Sequence, residues 1–262
     1  MGKNIQNQRP ANMMMVEREI IIEGSKFKIT VSDDQKALRS AYAEGRAVIG
    51  LWDQRCGGQS LSPASYVVES IEDINEELLE RVVRRRVGLP WHIKRTSRLT
   101  IREFVKEDWI SIPREPDGGK SGKIFLNQDL LGEYIRCQYG FYEYGIWAVI
   151  DNETGSVIGK AGIVPMDPQE CDPFFRIIEK NDTPVELGYH IFSAWRNKGY
   201  AKEACQAILA YAGERISRKV YARIEESNIP SVNLAKDLGF VLIDRTCSGL
   251  SQPLCLYEWN WS

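Results

Sequence analysis

The stretch that most constrains the fold is Arg196-Asn197-Lys198-Gly199-Tyr200-Ala201. It joins a strand-like apolar run, Val185–Ile191, to a helical pattern over residues 200–216. A strand that turns through a glycine into a helix creates an anion site. The first backbone N–H groups of the helix lack intrahelical partners, and the helix dipole adds partial positive charge there. Gly199 lets a ligand approach the backbone without a Cβ in the way, while Arg196 and Lys198 add charge beside it. Ala201, Cys205, Leu209, Ala212 and Ile216 recur at helical spacing, so this helix should present an apolar stripe to a core. Taken alone, the hexapeptide also fits a solvated strand-to-helix turn.

A second motif follows after about thirty residues: Asn228-Ile229-Pro230-Ser231-Val232-Asn233-Leu234-Ala235-Lys236-Asp237-Leu238-Gly239-Phe240. Pro230 fits the first helical position, Leu234 and Leu238 share one face, and Gly239 suits a left-handed C-terminal cap. Residues 219–224 before it have strand character. The pair, strand–R-x-x-G-x-A–helix then strand–N-x-x-S-x-x-L-x-K-x-L-G-F, resembles the Gcn5-related N-acetyltransferases (GNAT). Glu186-Leu187-Gly188-Tyr189 ahead of the turn is similar to the ribosomal-protein N-terminal acetyltransferase branch. The resemblance runs from about Leu99 to the C-terminus. It implies an α/β (α+β) GNAT fold, a mixed and mostly antiparallel sheet flanked by helices, with strands at 99–103, 145–151, 156–164, Val185–Ile191, 241–245 and 254–259.

The chain has 262 residues, 43% hydrophobic and 27% charged, which is ordinary for globular proteins and long enough for two domains. With 34 Lys+Arg against 36 Asp+Glu, composition gives no support for a nonspecific nucleic-acid or anionic-membrane surface. No apolar run approaches a bilayer span, and residues 1–12 are polar without a signal-peptide core, so a cytoplasmic protein is expected. The six cysteines form no C-x-x-C pair, and with only His92 and His190 as imidazole partners free buried thiols are expected rather than a metal site.

The front of the chain has a different rhythm. Strand candidates at 27–31, 46–52 and 66–68 surround a helix at 34–44 with Gly45 at its end, a small βαβ module over residues 16–90 behind a disordered start at 1–15. A further amphipathic helix over 71–83 ends in Arg84-Arg85-Arg86 before Gly88 and Pro90, where cations match a helix C-terminus and a solvated end is expected. Ser32-Asp33-Asp34, Glu44-Gly45-Arg46-Ala47-Val48-Ile49-Gly50 and Ala64-Ser65-Tyr66-Val67-Val68-Glu69-Ser70 loosely resemble the C-terminal part of a haloacid-dehalogenase-like fold. That family's nucleophile motif is absent upstream. Asp33 reads as a helix cap, and the module is expected to be non-catalytic, a candidate surface for a homodimer or protein-partner contact. The acetyltransferase domain is expected over 97–262.

Acetyl transfer to an amine needs a base for the attacking nitrogen, polarisation of the thioester carbonyl and stabilisation of the departing thiolate. Glu186 is the leading base candidate and His190 the second, since Glu186, Gly188 and His190 alternate onto one side of a regular strand. The competing reading of Glu186 is a half-exposed charge paired with an arginine or lysine. The resemblance implies acetyl-CoA as co-substrate. It places amides around Tyr189 and Ile191 on the thioester carbonyl and pantetheine, Arg196, Lys198, Gly199, Tyr200 and Ala201 on the pyrophosphate, and Asn228 on the pantetheine. Ser231 would then donate to the leaving thiolate, or simply cap its helix. Tyr134, Tyr139, Phe141, Tyr142, Tyr144 and Trp147 either shape an acceptor pocket or pack the core, and Asp167, Glu170, Asp172 and Glu179 make the 165–183 connection acidic. The expected activity is transfer from acetyl-CoA to a primary amine, a peptide N-terminus or a small molecule. The alternatives are a non-catalytic acyl-CoA-binding or sensing protein and a scaffold.

Overall fold

The computed structural model describes residues 14–54, 58–115, 119–166, 172–180, 183–247 and 252–261. The chain divides between Trp91 and His92 into two compact units. The expectations for residues 1–13, for Cys56 and Cys171 and for Asp167 and Glu170 lie outside the described residues.

The first unit runs β1 (Met15–Ile22), β2 (Ser25–Ser32), α1 (Gln35–Ala43), β3 (Ala47–Leu51), β4 (Tyr66–Val68) and α2 (Glu76–Val87). Its sheet has the order β1-β2-β3-β4, with β1 antiparallel to β2 and the other pairs parallel. Period-two alternation in β3 feeds two cores: Ala47 and Ile49 pack with Leu79, Val82 and Val83 of α2, and Val48 packs with Leu38 and Ala41 of α1. Strand β1 lies within the expected module but ahead of its first strand candidate at 27–31; its single buried residue, Ile22, gives it little apolar signal. Asp34, not Asp33, caps α1 by accepting the Ala37 amide at 3.1 Å, while Asp33 accepts the Met14 amide at 2.9 Å. The arginine run is not a solvated end. Arg84 is buried against Glu80 at 2.7 Å and Glu23 at 3.0 Å, and Arg86 donates to the Tyr42 carbonyl and lies over the Tyr42 ring at 3.9 Å.

The second unit continues with β5 (His92–Arg95), β6 (Leu99–Arg102), α3 (Gly119–Phe125), α4 (Gln128–Tyr134), a π-helical turn (Ile135–Tyr139), α5 (Gly140–Tyr142), β7 (Ile146–Asp151), β8 (Val157–Pro165) and α6 (Phe175–Ile178). It ends with β9 (Val185–Ile191), α7 (Tyr200–Arg215), β10 (Lys219–Glu225), α8 (Ile229–Asp237), β11 (Val241–Thr246) and β12 (Leu254–Asn260). The eight-stranded sheet has the order β11-β12-β10-β9-β8-β7-β6-β5, antiparallel throughout except between β9 and β10. Strand β5 extends this sheet upstream of the expected domain start at 97.

Helices cover both faces. Ala148 and Ile150 of β7 pack with Phe125 and Leu131 beneath α3 and α4, whereas Trp147, on the opposite face of the strand, meets Tyr211 of α7 edge-on at 5.7 Å. Helix α7 buries Ala204, Cys205, Ile208, Leu209 and Ala212, so its stripe is rotated from the expected one and leaves Ala201 and Ile216 half-buried. Asn228 caps α8, which puts Pro230 at its second position rather than its first, and Gly239 takes the left-handed φ of 87° after it. No helix among the described residues is long and apolar enough to cross a membrane.

Candidate active site

The parallel step between β9 and β10 is where the sheet opens. Strand β9 pairs with β8 over seven residues and β10 with β12 over seven, but β9 and β10 share the single pair Glu186 and Tyr221. The Met166 amide donates to the Pro184 carbonyl and the Phe192 amide to the Ile158 carbonyl. In an antiparallel ladder alternate pairs are bonded, so residues 186, 188 and 190 bond to β8 while the N–H groups of Leu187, Tyr189 and Ile191 point the other way. Beyond the Glu186 pair no strand among the described residues meets the Tyr189 and Ile191 amides, which therefore line an opening at the C-terminal ends of two parallel strands.

Glu186 closes the narrow end of that opening. Its carboxylate accepts the Arg223 backbone amide at 3.1 Å and the Arg223 guanidinium at 2.6 Å, and Arg223 also meets Asp172 at 2.8 Å. Glu186 bonding, opposed by burial, keeps the guanidinium's proton bound more tightly than usual. Glu186 is thus engaged in an ion pair with Arg223. A carboxylate fixed by two kinds of Arg223 donor suits a strand terminator better than a proton acceptor.

At the wide end, α7 begins. Gly199 has φ of 80° and Asn197 of 61°, so the turn is left-handed twice. The amides of Tyr200, Ala201 and Lys202 are first-turn groups without intrahelical acceptors, since the first helical bond is Glu203 to the Gly199 carbonyl at 3.2 Å. Arg98, which the sequence did not nominate, holds the turn from behind. Its guanidinium donates to the Lys198 carbonyl at 2.9 Å and to Glu203 at 2.7 Å, and it lies 4.7 Å over the Tyr200 ring. Burial works against the Glu203 charge, but bonds from Thr96 and Arg98 keep its carboxyl below the usual range. Arg196 is placed differently from expectation. Its Nε donates to the Ile191 carbonyl at 2.9 Å and its Nη2 lies 3.5 Å from Glu115, so its side chain turns back toward β9 rather than out beside the helix start. Lys198 keeps its amine over the Trp195 ring at 5.0 Å.

Two hydroxyl and imidazole clusters flank β9. On the α7 side, the Tyr189 hydroxyl donates to Ser231 Oγ at 2.8 Å, and the Ser231 amide donates to Asn228 Oδ1 at 3.3 Å, so the capping role of Asn228 is real. Burial raises the Tyr189 hydroxyl above its ordinary value. On the other side, His190 Nε2 stands 2.7 Å from Glu115 Oε2, and Glu115 Oε1 accepts the Ser193 amide at 2.6 Å. Burial opposes the charge on Glu115, but bonds from Ser193 and from His190 outweigh it and hold the carboxyl at about 2. The register carries no shift along β9, so Glu186, Gly188 and His190 do share this face.

The aromatic cluster splits. Tyr139 donates to the Ile146 carbonyl at 2.6 Å, Tyr134 accepts the Ile146 amide at 2.7 Å, and Trp147 is wholly buried, so these three are core. Phe141 and Tyr142 are exposed and meet at 4.8 Å. Asp172 belongs to the Arg223 pair and Glu179 is exposed. Among the described residues no group of three His, Cys, Asp or Glu side chains is arranged to hold a metal ion.

Comparison with known proteins gives a consistent answer. The acetyltransferase (GNAT) domain family matches residues 98–241, more than half of the chain. The Bacillus subtilis protein YkkB is 30% identical over 118 residues, 45% of this chain and 62% of its own length. The chain thus spans less than two thirds of that relative. The Bacillus subtilis N-acetyltransferase YnaD is 27% identical over 147 residues, 55% of this chain and 79% of its own. A GnaT-family acetyltransferase structure from Bordetella pertussis superposes with a TM-score of 0.51 at 25% identity, over 64% of this chain and 98% of the other. With the split sheet, the exposed helix start and the family match on the same residues, the chain belongs to the GNAT acetyltransferase family, whose co-substrate is acetyl-CoA.

Proposed function

We propose that the second unit transfers an acetyl group from acetyl-CoA to a primary amine, a peptide N-terminus or a small molecule. The observation that carries this reading is the unpaired edge of β9 ending at the start of α7. The first-turn amides of Tyr200 and Ala201, with Lys198 and Gly199, offer donors to a pyrophosphate, and Asn228 keeps its amide NH2 for the pantetheine arm. The Tyr189 and Ile191 amides are placed to polarise a thioester carbonyl, which is where acyl transfer develops negative charge.

His190 accepts the proton of the attacking amine in this mechanism, with Glu115 fixing the ring and stabilising the positive charge it acquires. Ser231, bonded to the Tyr189 hydroxyl, donates a proton toward the departing sulfur. Glu186 keeps the opening apart and takes no proton. The first unit is read as non-catalytic, because Asp33 and Asp34 are both engaged by backbone amides.

The test is release of free thiol from acetyl-CoA against a panel of polyamines, aminoglycosides and N-terminal peptides. His190→Gln is expected to lower kcat by about a hundredfold, within the range for losing a general base. If no amine raises thiol release above background hydrolysis, catalysis is refuted. The Glu186–Arg223 pairing, which engages the first-choice base, favours a second reading: an acyl-CoA-binding protein without turnover. A melting-temperature rise with acetyl-CoA and no amine-dependent thiol release would select it.

A further inference from the structure

Among the described residues, Lys160 is a cation with no anion beside it. It lies on β8 directly opposite His190 of β9, so both side chains rise from adjacent points on the face that also carries Gly188. Its amine stands 4.6 Å over the Phe125 ring, beneath α3, where a Cβ on Gly122 would come to 3.8 Å from it. Burial pushes this amine below the ordinary lysine range. Among the described residues no carboxylate reaches it. Glu115, which serves the neighbouring His190, is committed to that imidazole, to the Ser193 amide and to Arg196. A partly buried ammonium without a counter-ion costs stability, and an apolar residue under α3 would serve packing better.

Resting on the acetyltransferase reading, we infer that Lys160 receives a carboxylate of the acceptor, so that the preferred acceptors carry a carboxylate within a few bonds of the amine. Directly opposed residues of antiparallel strands have Cα atoms about 5 Å apart, so His190 and Lys160 start from points separated by roughly the length of a small amino acid. The amine meets the imidazole while the carboxylate meets the ammonium, which already has the Phe125 face against its other side. Two sources supply this chemistry: a free amino acid, and a peptide whose N-terminal residue is aspartate or glutamate.

The experiment compares matched acceptors: β-alanine with propylamine, and the peptide amide Asp-Ala-Ala with Asn-Ala-Ala. Wild type is expected to favour the carboxylate member of one pair by about tenfold to a hundredfold in kcat/KM, the range for a charged hydrogen bond, and the pair that responds identifies the source. In Lys160→Met the ratio should fall to about one, mainly through KM, and in Lys160→Arg it should be intermediate. The Lys160→Met protein should melt no lower than wild type, which separates lost recognition from lost folding. No preference in wild type, or an unchanged ratio in Lys160→Met, overturns the inference. A second readout stands apart from turnover: calorimetry of N-acetyl-β-alanine and N-propylacetamide on the complex with coenzyme A. If no amine is acetylated, selective binding of the carboxylate compound that Lys160→Met abolishes still supports the inference while the enzymatic reading falls. Equal or absent binding overturns it.

Discussion

Glu115→Gln tests the buried dyad beside β9. Glu115 has a side chain only 9% exposed, and its carboxyl is held at about 2 against an ordinary 4.5. Burial alone would raise that value. Ser193 and His190 lower it, and the net difference corresponds to about 3 kcal/mol of folding stability at neutral pH. Because the folded value lies below the unfolded one, this stability is fully present above pH 4.5 and disappears as pH falls toward 2. Glutamine keeps the shape and one acceptor for the Ser193 amide but loses the charge. The variant is therefore expected to be about 2–3 kcal/mol less stable than wild type at pH 7, with the gap narrowing to about 2 kcal/mol or less at pH 3.5. Urea unfolding followed by tryptophan fluorescence at pH 7, 4.5 and 3.5 measures this, provided the m-values agree. In turnover, kcat should fall about a hundredfold while acetyl-CoA affinity stays within a factor of about two, because the dyad acts on the amine. A stability gap below about 0.5 kcal/mol, or one of equal size at pH 7 and pH 3.5, refutes the assigned charge and its partners.

The hydroxyl pair and the helix start give further tests. Ser231→Ala should lower kcat about tenfold with little change in acetyl-CoA Kd, read by steady-state kinetics and calorimetry; a raised Kd with unchanged kcat would make Ser231 a binding group only. Gly199→Ala forces a Cβ into a left-handed turn with φ of 80°, so about 1–2 kcal/mol of stability should be lost and acetyl-CoA binding weakened, measured by denaturation and calorimetry. Asp34→Ala removes the α1 cap and should cost about 1 kcal/mol in urea unfolding without changing thiol release, which follows if the first unit is non-catalytic.

What was legible in the sequence was local. Gly199, the alternation of Val185–Ile191 and the capping of Ile229–Asp237 by Asn228 and Gly239 are short-range signals, and the elements appear where those signals put them. Strands β1 and β5 escaped because each buries a single residue, too little to show as an apolar period. Glu115 escaped for a different reason. It sits in irregular chain 75 residues from His190, and nothing local marks which carboxylate folding will bring to an imidazole. Arginine direction was equally hidden: Arg196 is adjacent to the glycine turn in sequence, yet Arg98 from the loop before β6 holds that turn while Arg196 folds back onto Ile191. A guanidinium reaches several ångströms from its Cα, so adjacency in sequence fixes its backbone and not its charge.

Glu186 shows how a strand position can be right while its carboxylate is engaged elsewhere. It lies on the same face of β9 as Gly188 and His190, as alternation requires. It is also the β9 residue paired with β10, and its carboxylate takes the Arg223 amide that a continued ladder would have bonded to the next strand residue. Without such an acceptor that amide would either go unpaired or draw β10 against β9, closing the edge that exposes the Tyr189 and Ile191 amides. The same ion pair therefore stands at the edge of the opening and engages the Glu186 carboxylate there. In the proposed mechanism the proton acceptor on this face stands further along the strand, toward the helix start. His190 is the next titratable side chain in that direction, and Glu115 is already in place behind it.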